Sequence, residues 1–501
     1  MSGTGTPTTT PSATKAPLLG ARENRVVWLL LAAAFVAILN ETTMGVAIPH
    51  LIRDLSITAV QAHWLTTAFM LTMAVDIPIS GFLLRRFTTR QVFVAAMSLF
   101  SLGTLIALLS PGFEVLVAAR VVQALGTAIM MPLLMTTLMT IVPPASRGRM
   151  MGRVSIVMSL APAIGPSLSG FILEHASWRI IFAVVLPIAL VALVVGARWI
   201  HNLGETTHAP IDVLSIILSA FGFGGLVFGL SQIGGHGPQS GAAETMSTTT
   251  LIVAFVIGGA SLLLFGIRQV RLQKEDDALL DLRVFRSRNF SLAIAQMAVL
   301  SMVFFGVLTV LPLYLQDSVG ISPLETGLAI LPGSILMGIA GPFVGRIYDA
   351  RGTRVLLIPG AAIAIAMLWM MSTYDARTPL WMIIAVQTVL SLGLAMSFTP
   401  LFTASLASLQ PRFYSYGSSV VGTTQQVAGA AGIAVMIAVM STASAAAADA
   451  GMSAADAAAA GAHAAFLLGA IIAIPLLIGA MLIRKPEDTV NADADAVPMA
   501  H

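Results

Sequence analysis

Three ionisable side chains, Glu41, Asp76 and Arg120, stand inside long apolar runs. Holding a charge in hydrocarbon costs on the order of 3 kcal/mol on insertion scales, so each is a candidate for work on ions or substrate. Glu41 lies about seven residues from the end of the first run, and Arg120 about seven residues into the fourth, which enters from the same side. At 1.5 Å per residue both come roughly 10 Å below one surface, a depth at which a charge-assisted bond can join them. Two readings of this pair stay open: a structural ion pair, or a carboxylate that binds and releases a proton while Arg120 tunes it. Asp76 falls near the midplane, either as a second proton-binding group or as a carboxyl that is simply protonated or water-solvated. Asn40, Thr43 and Gln123, neighbours of these groups in the sequence, are expected to face the same cavity.

Other chemistries find little material. The chain has no cysteine, which excludes disulfides, thiolate metal sites and Cys nucleophiles. No phosphate-cradling loop of P-loop type is present, the eight histidines are scattered, and the loops are too short to build a catalytic domain. An enzyme, a metal centre and an ATP-driven pump are therefore not expected.

The elements that must carry the three charges are membrane helices. Of 501 residues, 57% are apolar and 10% charged, against the roughly 25% charged of a globular domain. A net charge of +3 gives no support to a nucleic-acid surface. Apolar windows between charged or Gly/Pro-rich breaks number fourteen, each near the 20 or so residues that span a bilayer. The first, near 26–48, is too long and begins too late for a cleaved signal peptide. With the N-terminus inside, 22 of the 26 Lys and Arg fall in inner segments and three (Arg53, Arg179, Arg377) outside, Arg120 being within a helix. That asymmetry puts both termini in the cytoplasm. The expected organisation is a disordered tail over 1–25, a six-helix half over 26–200, and an inserted helix pair with a cytoplasmic linker over 201–285 (helices near 212–232 and 250–268). A second six-helix half over 286–484 and a tail over 485–501 complete it. The outer loops 233–249 and 442–463 lack Lys and Arg and read as flexible or helical surface segments.

An internal repeat supports the two halves. Residues 57–90 lie on 321–354 without a gap at an offset of 264, matching Thr58 with Ser322, Gln61 with Glu325, Pro78 with Pro342, Gly81 with Gly345 and Arg90 with Arg354. The copies share one orientation, which implies halves related by an axis along the membrane normal. Pro162, Gly165, Pro166 and Gly170 in the fifth helix bend it and let a neighbour approach closely, or serve packing alone.

These stretches together resemble the major facilitator superfamily, and within it the fourteen-helix drug:proton antiporters of the QacA/EmrB type. The loop after helix two (Gly81, Arg85, Arg86, Arg90) and its second copy (Gly345, Asp349, Arg354) resemble the family's cytoplasmic-loop gating motif. Arg120 to Ala128 resembles its R-x-x-Q motif, in which the Arg is implicated in proton coupling, and Gly165, Pro166 and Gly170 resemble its antiporter motif at the half-to-half interface. Leu39 to Pro49, with Trp178 to Phe182 and Asp281 to Phe290, completes the set, and the Asn40-Glu41 pair is most similar to the lincomycin-resistance branch. Departures are definite. Arg85 and Thr88 stand where the motif has Asp and Gly, which puts that latch in doubt, while Asp349 and Gly352 keep it in the second copy. The first-helix acid is displaced by one residue, about 100° around the helix.

The resemblance implies an all-α facilitator fold and efflux of small amphiphilic or cationic compounds by alternating access. Glu41, Asp76 and Arg120 would couple it to protons in a bacterial cytoplasmic membrane. The proton gradient would be the energy source, with no cofactor; small-molecule substrate, protons and the lipid bilayer would be the partners, with no nucleotide or nucleic acid. A dedicated exporter of an endogenous metabolite or lipid on the same scaffold is the alternative, and a sensor without transport is a further one.

Overall fold

The computed structural model describes residues 20–202, 212–234 and 248–483. Among the described residues fourteen helices are long and apolar enough to cross a membrane. They are α1 (Ala21–Asp54), α2 (Ala59–Arg86), α3 (Thr89–Leu109), α4 (Phe113–Ile141), α5 (Arg147–His175), α6 (Arg179–Trp199), α7 (Val213–Gly234), α8 (Thr248–Leu272), α9 (Arg288–Asp317), α10 (Pro323–Arg351), α11 (Arg354–Met371), α12 (Leu380–Ala407), α13 (Tyr414–Asp449) and α14 (Ala454–Leu482).

Local chemistry explains the starts. Thr58 and Gln61 close a reciprocal capping box on α2, and their repeat counterparts Ser322 and Glu325 close the same box on α10. Two boundaries differ from the sequence reading. Helix α1 begins at Ala21, within the expected tail, because Glu23 reaches back to the Gly20 N–H at 3.0 Å and satisfies an otherwise orphan donor. The segment 442–463 is mostly helix: α13 continues to Asp449, the chain reverses at Gly451 (φ 83°), and Ser453 caps α14. Alanine, the best helix former, dominates there. The expected tails over 1–19 and 485–501, and most of 233–249, lie outside the described residues.

Helices α1–α6 and α9–α14 form two halves that meet along two seams, α5 against α10 and α2 against α13. The seams are each other's image under the repeat. Helix α7 lies on α2 and α13, and α8 packs chiefly on α7, so the inserted pair covers the second seam and leaves the first bare. Asp212 ties the pair together, accepting two bonds from the Arg268 guanidinium at 2.7 and 2.8 Å.

Glycines set the interhelical distances, since packing in lipid relies on close backbone approach. A Cβ on Gly126 in α4 would overlap the Ala96 carbonyl of α3 and sit 2.7 Å from the Phe100 nitrogen. Both are backbone atoms that cannot turn aside. Gly126→Val is expected to lose about 1–3 kcal/mol by overpacking, seen as a lowered midpoint of thermal unfolding in detergent.

Candidate substrate and proton site

Between the halves lies a cavity of about 640 Å³. Its first-half wall carries Glu41, Thr42, Thr66, Phe69 and Arg120; its second-half wall carries Gln316, Ser334, Gln387 and Ser391. The cavity reaches toward the loop joining α9 and α10, with Gln316 and Pro323 on its wall, and Met158, Phe304 and Met337 form its opposite floor. Below that floor is an enclosed chamber of about 40 Å³, lined by these three with further methionines and phenylalanines.

The structure brings Glu41 and Arg120 to one cavity but does not join them. Among the described residues no ion pair links the two, contrary to the direct bond their depth suggested. Arg120 is held instead by its own half: it donates to Gln123 Oε1 at 3.0 Å, reaches the Leu65 carbonyl, and lies 4.1 Å over the centre of the Phe69 ring. Gln123 in turn donates to Thr104 at 2.9 Å. The guanidinium is thus fixed by neutral acceptors and a ring face, which leaves the carboxylate at hand for another partner.

Three residues expected on the wall stand behind it. Gln123 serves Arg120, Thr43 donates to the Asn40 carbonyl, and Asn40 is fully buried with neither side-chain atom bonded among the described residues. The turn of 100° per residue accounts for this, placing Glu41 and Thr42 toward the cavity and Asn40 and Thr43 away. Asp76 is also buried, lies off the cavity wall, and has Oδ2 without a hydrogen-bond partner among the described residues.

The fifth-helix glycines divide. A Cβ on Gly165 would overlap the Thr42 hydroxyl, so this residue seats α1 on α5 within one half rather than at the interface between halves. Pro166 lines the cavity, and Gly170 has open space beside it. The contact between halves falls lower, where Gly148 and Gly152 of α5 meet Gly345 and Gly341 of α10 backbone to backbone.

This end of the molecule, carrying the basic loops, is closed at both seams by different chemistry. At α5/α10, Asp349 accepts from the Gly148 and Arg149 amides at 2.7 and 2.9 Å, a carboxylate on a helix N-terminus. Its repeat counterpart at α2/α13 is Arg85, which donates to the Tyr416 hydroxyl at 2.8 Å and lies over that ring. Tyr416 passes the bond on to the Ala278 carbonyl at 2.9 Å, and Gly81 abuts Ser415 and Ser419. The doubted latch is therefore replaced by a contact of another kind. The linker after α8 completes it: residues 278–280 are buried, and Arg283 binds both Asp276 and Asp281. Asp276 is held below the ordinary carboxylate range, first by its bond from Arg283, with Arg85 and Arg412 adding to the field. Such a group contributes while ionised and is lost only as pH falls through its lowered value, so this clamp is intact at neutral pH. Arg86, Arg90 and Arg354 flank the same end, at or beside helix termini.

A helical membrane protein of two pseudo-two-fold halves, with a central cavity closed at one end, is a transporter by architecture. The sequence profile of the Major Facilitator Superfamily matches residues 30–433, and the chain belongs to that superfamily. It is 40% identical over 463 residues to Uncharacterized MFS-type transporter YcnB of Bacillus subtilis (strain 168), covering 92% of this chain and 95% of that one. Lincomycin resistance protein LmrB of the same organism is 39% identical over 462 residues, 91% of this chain and 95% of its own. The crystal structure of the human organic anion transporter MFSD10 (TETRAN) superposes with a TM-score of 0.62 at 12% identity, over 91% of this chain and 99% of that one, a likeness of fold.

Proposed function

We propose that this protein exports small amphiphilic or cationic compounds in exchange for protons, by alternating access across a bacterial cytoplasmic membrane with both termini inside. The observation that carries this reading is one cavity between the halves that holds a carboxylate, Glu41, without an ion-pair partner among the described residues. Glu41 carries the proton and competes for it with a cationic substrate; Arg120 fixes the local field from its bonds to Gln123 and Leu65. Closure at the basic-loop end corresponds to the outward-facing state, in which substrate leaves and a proton enters. Relatives named lincomycin resistance proteins support a drug among the substrates. The energy source is the proton gradient, with no cofactor, and Met158, Phe304 and Met337 form the septum that substrate crosses.

The test is purified protein in liposomes with an imposed pH gradient and a pH-sensitive dye on one side. Adding lincomycin or an alkyl quaternary ammonium is expected to release protons in proportion to substrate moved. Proton flux indifferent to every compound of a chemically diverse panel overturns the reading.

A further inference from the structure

Helix α8 is held by the rest of the protein on one side only. It packs chiefly on α7, and only 11% of its membrane-crossing window is buried. The held side is well satisfied. Arg268 is neutralised by Asp212 ahead of α7, while Gln269 donates to Ser215 of α7 at 2.7 Å and accepts the Leu280 N–H of the linker at 3.1 Å.

The other side is shaped. Leu263, Gly266, Ile267, Val270 and Arg271 recur at three- and four-residue steps, so they form one stripe along α8. With Leu262 and with Leu282 of the linker they line a groove of about 440 Å³. Gly266 keeps it open, since a Cβ there would meet nothing within 4 Å. At 1.5 Å per residue the stripe runs roughly 12 Å from Leu263 to Arg271, which fits within the roughly 15 Å of one leaflet's hydrocarbon. Arg271 ends it, in the last turn of α8 at the basic-loop end. This arginine is exposed and, unlike Arg268, has no ion-pair partner among the described residues; the same holds for Lys274, three residues on.

We propose that this groove binds one anionic phospholipid of the leaflet on the basic-loop side. Its acyl chain lies along Leu263, Gly266 and Ile267, its phosphate meets Arg271, and Lys274 adds to the field. The two ends of the groove match the two ends of such a lipid. An apolar furrow facing hydrocarbon takes a chain, and a guanidinium without a counter-charge takes a phosphate through paired N–H donors. A zwitterionic headgroup would bring a second cation beside Arg271, whereas an anionic one does not. Free phosphate would leave the furrow unused. Through Leu282 the lipid also lies against the linker, whose residues 278–280 are buried and whose Ala278 carbonyl accepts from Tyr416 of α13. None of this depends on the export reading.

Because the chain lacks cysteine, a single fluorophore at Leu264→Cys, on the exposed surface of α8, reports the lipids that touch the groove. Quenching in phosphatidylcholine nanodiscs by brominated phosphatidylglycerol or brominated phosphatidylcholine gives their relative association constant. The labelled protein is expected to prefer phosphatidylglycerol roughly fivefold, the worth of one cation at an anionic surface. Arg271→Gln should bring the ratio close to one. Gly266→Leu should do the same, because its side chain enters the furrow without meeting protein atoms and displaces the acyl chain. Arg198→Gln, which removes an exposed cation in the last turn of α6, should leave the ratio unchanged, as should replacing chloride with inorganic phosphate at equal ionic strength. No preference in the labelled protein, or a preference that survives Arg271→Gln or Gly266→Leu, overturns the site. An equal loss in Arg198→Gln would reduce it to the general field of the basic loops, and a loss in phosphate would assign Arg271 to the free anion; either result overturns it too.

Discussion

Replacement of Glu41 by Gln is expected to abolish gradient-driven export while leaving exchange of substrate across the membrane intact. The substitution keeps the shape of the side chain and removes only its ability to gain and lose a proton. Coupling between two sites in one protein is typically worth 1–3 kcal/mol, a factor of roughly 5–150 in affinity. The variant should lose that factor: its affinity for a cationic substrate becomes independent of pH, where the native protein binds more weakly as acidification protonates the cavity. The expectation rests on Glu41 lining the cavity with no ion pair to Arg120, whose Nη1 and Nε donate to Gln123 Oε1 and the Leu65 carbonyl. Asp76 is the control. It lies off the cavity wall, and Asp76→Asn is expected to keep both export and pH dependence. Gradient-driven export by Glu41→Gln at the native rate, measured in the same liposomes, contradicts the assignment.

The fourteen spans were legible because charge is so scarce that each basic cluster marks a loop, and the repeat over 57–90 showed the halves. The capping residues that recur at Thr58 and Ser322 are part of that match. Depth along a helix was also legible, and it brought Glu41 and Arg120 to one cavity. Azimuth was not. Which of Asn40, Glu41, Thr42 and Thr43 faces the cavity depends on how α1 is rotated against α5, and that rotation is set by the Gly165 contact with Thr42, a pairing across more than a hundred residues. Gln387, on the second-half wall, escaped for a different reason. The link between α11 and α12 is longer than that between α3 and α4, so the ungapped alignment fails before it reaches α4 and α12. The Leu-Gly pair at 125–126 and 392–393, which aligns those two helices, was the available signal, too short to stand out until the glycines' contacts were known.

The two seams at the basic-loop end are expected to differ in what a single substitution does to them. Asp349→Ala removes a carboxylate that accepts from two amides at the start of α5, bonds that cross between halves and exist only while they are closed. Capping and dipole interactions of this kind are worth about 0.5–2 kcal/mol, so the ratio of closed to open molecules should fall roughly 2- to 30-fold. The backbone contact of Gly152 with Gly341 remains and keeps the closed state accessible. Arg85→Ala should do less. A guanidinium near the start of α13 is poorly placed against the helix dipole, and after its removal Tyr416 still bonds Ala278 while Ser419 still donates to the Ile77 carbonyl. The absence of cysteine makes the comparison direct, since spin labels at Ser146→Cys and Arg351→Cys report the separation of the halves without background thiols. A distance distribution shifted toward the open form by Asp349→Ala and little changed by Arg85→Ala is the expected result. Equal shifts in both would mean that the two seams are held alike and would contradict the expectation.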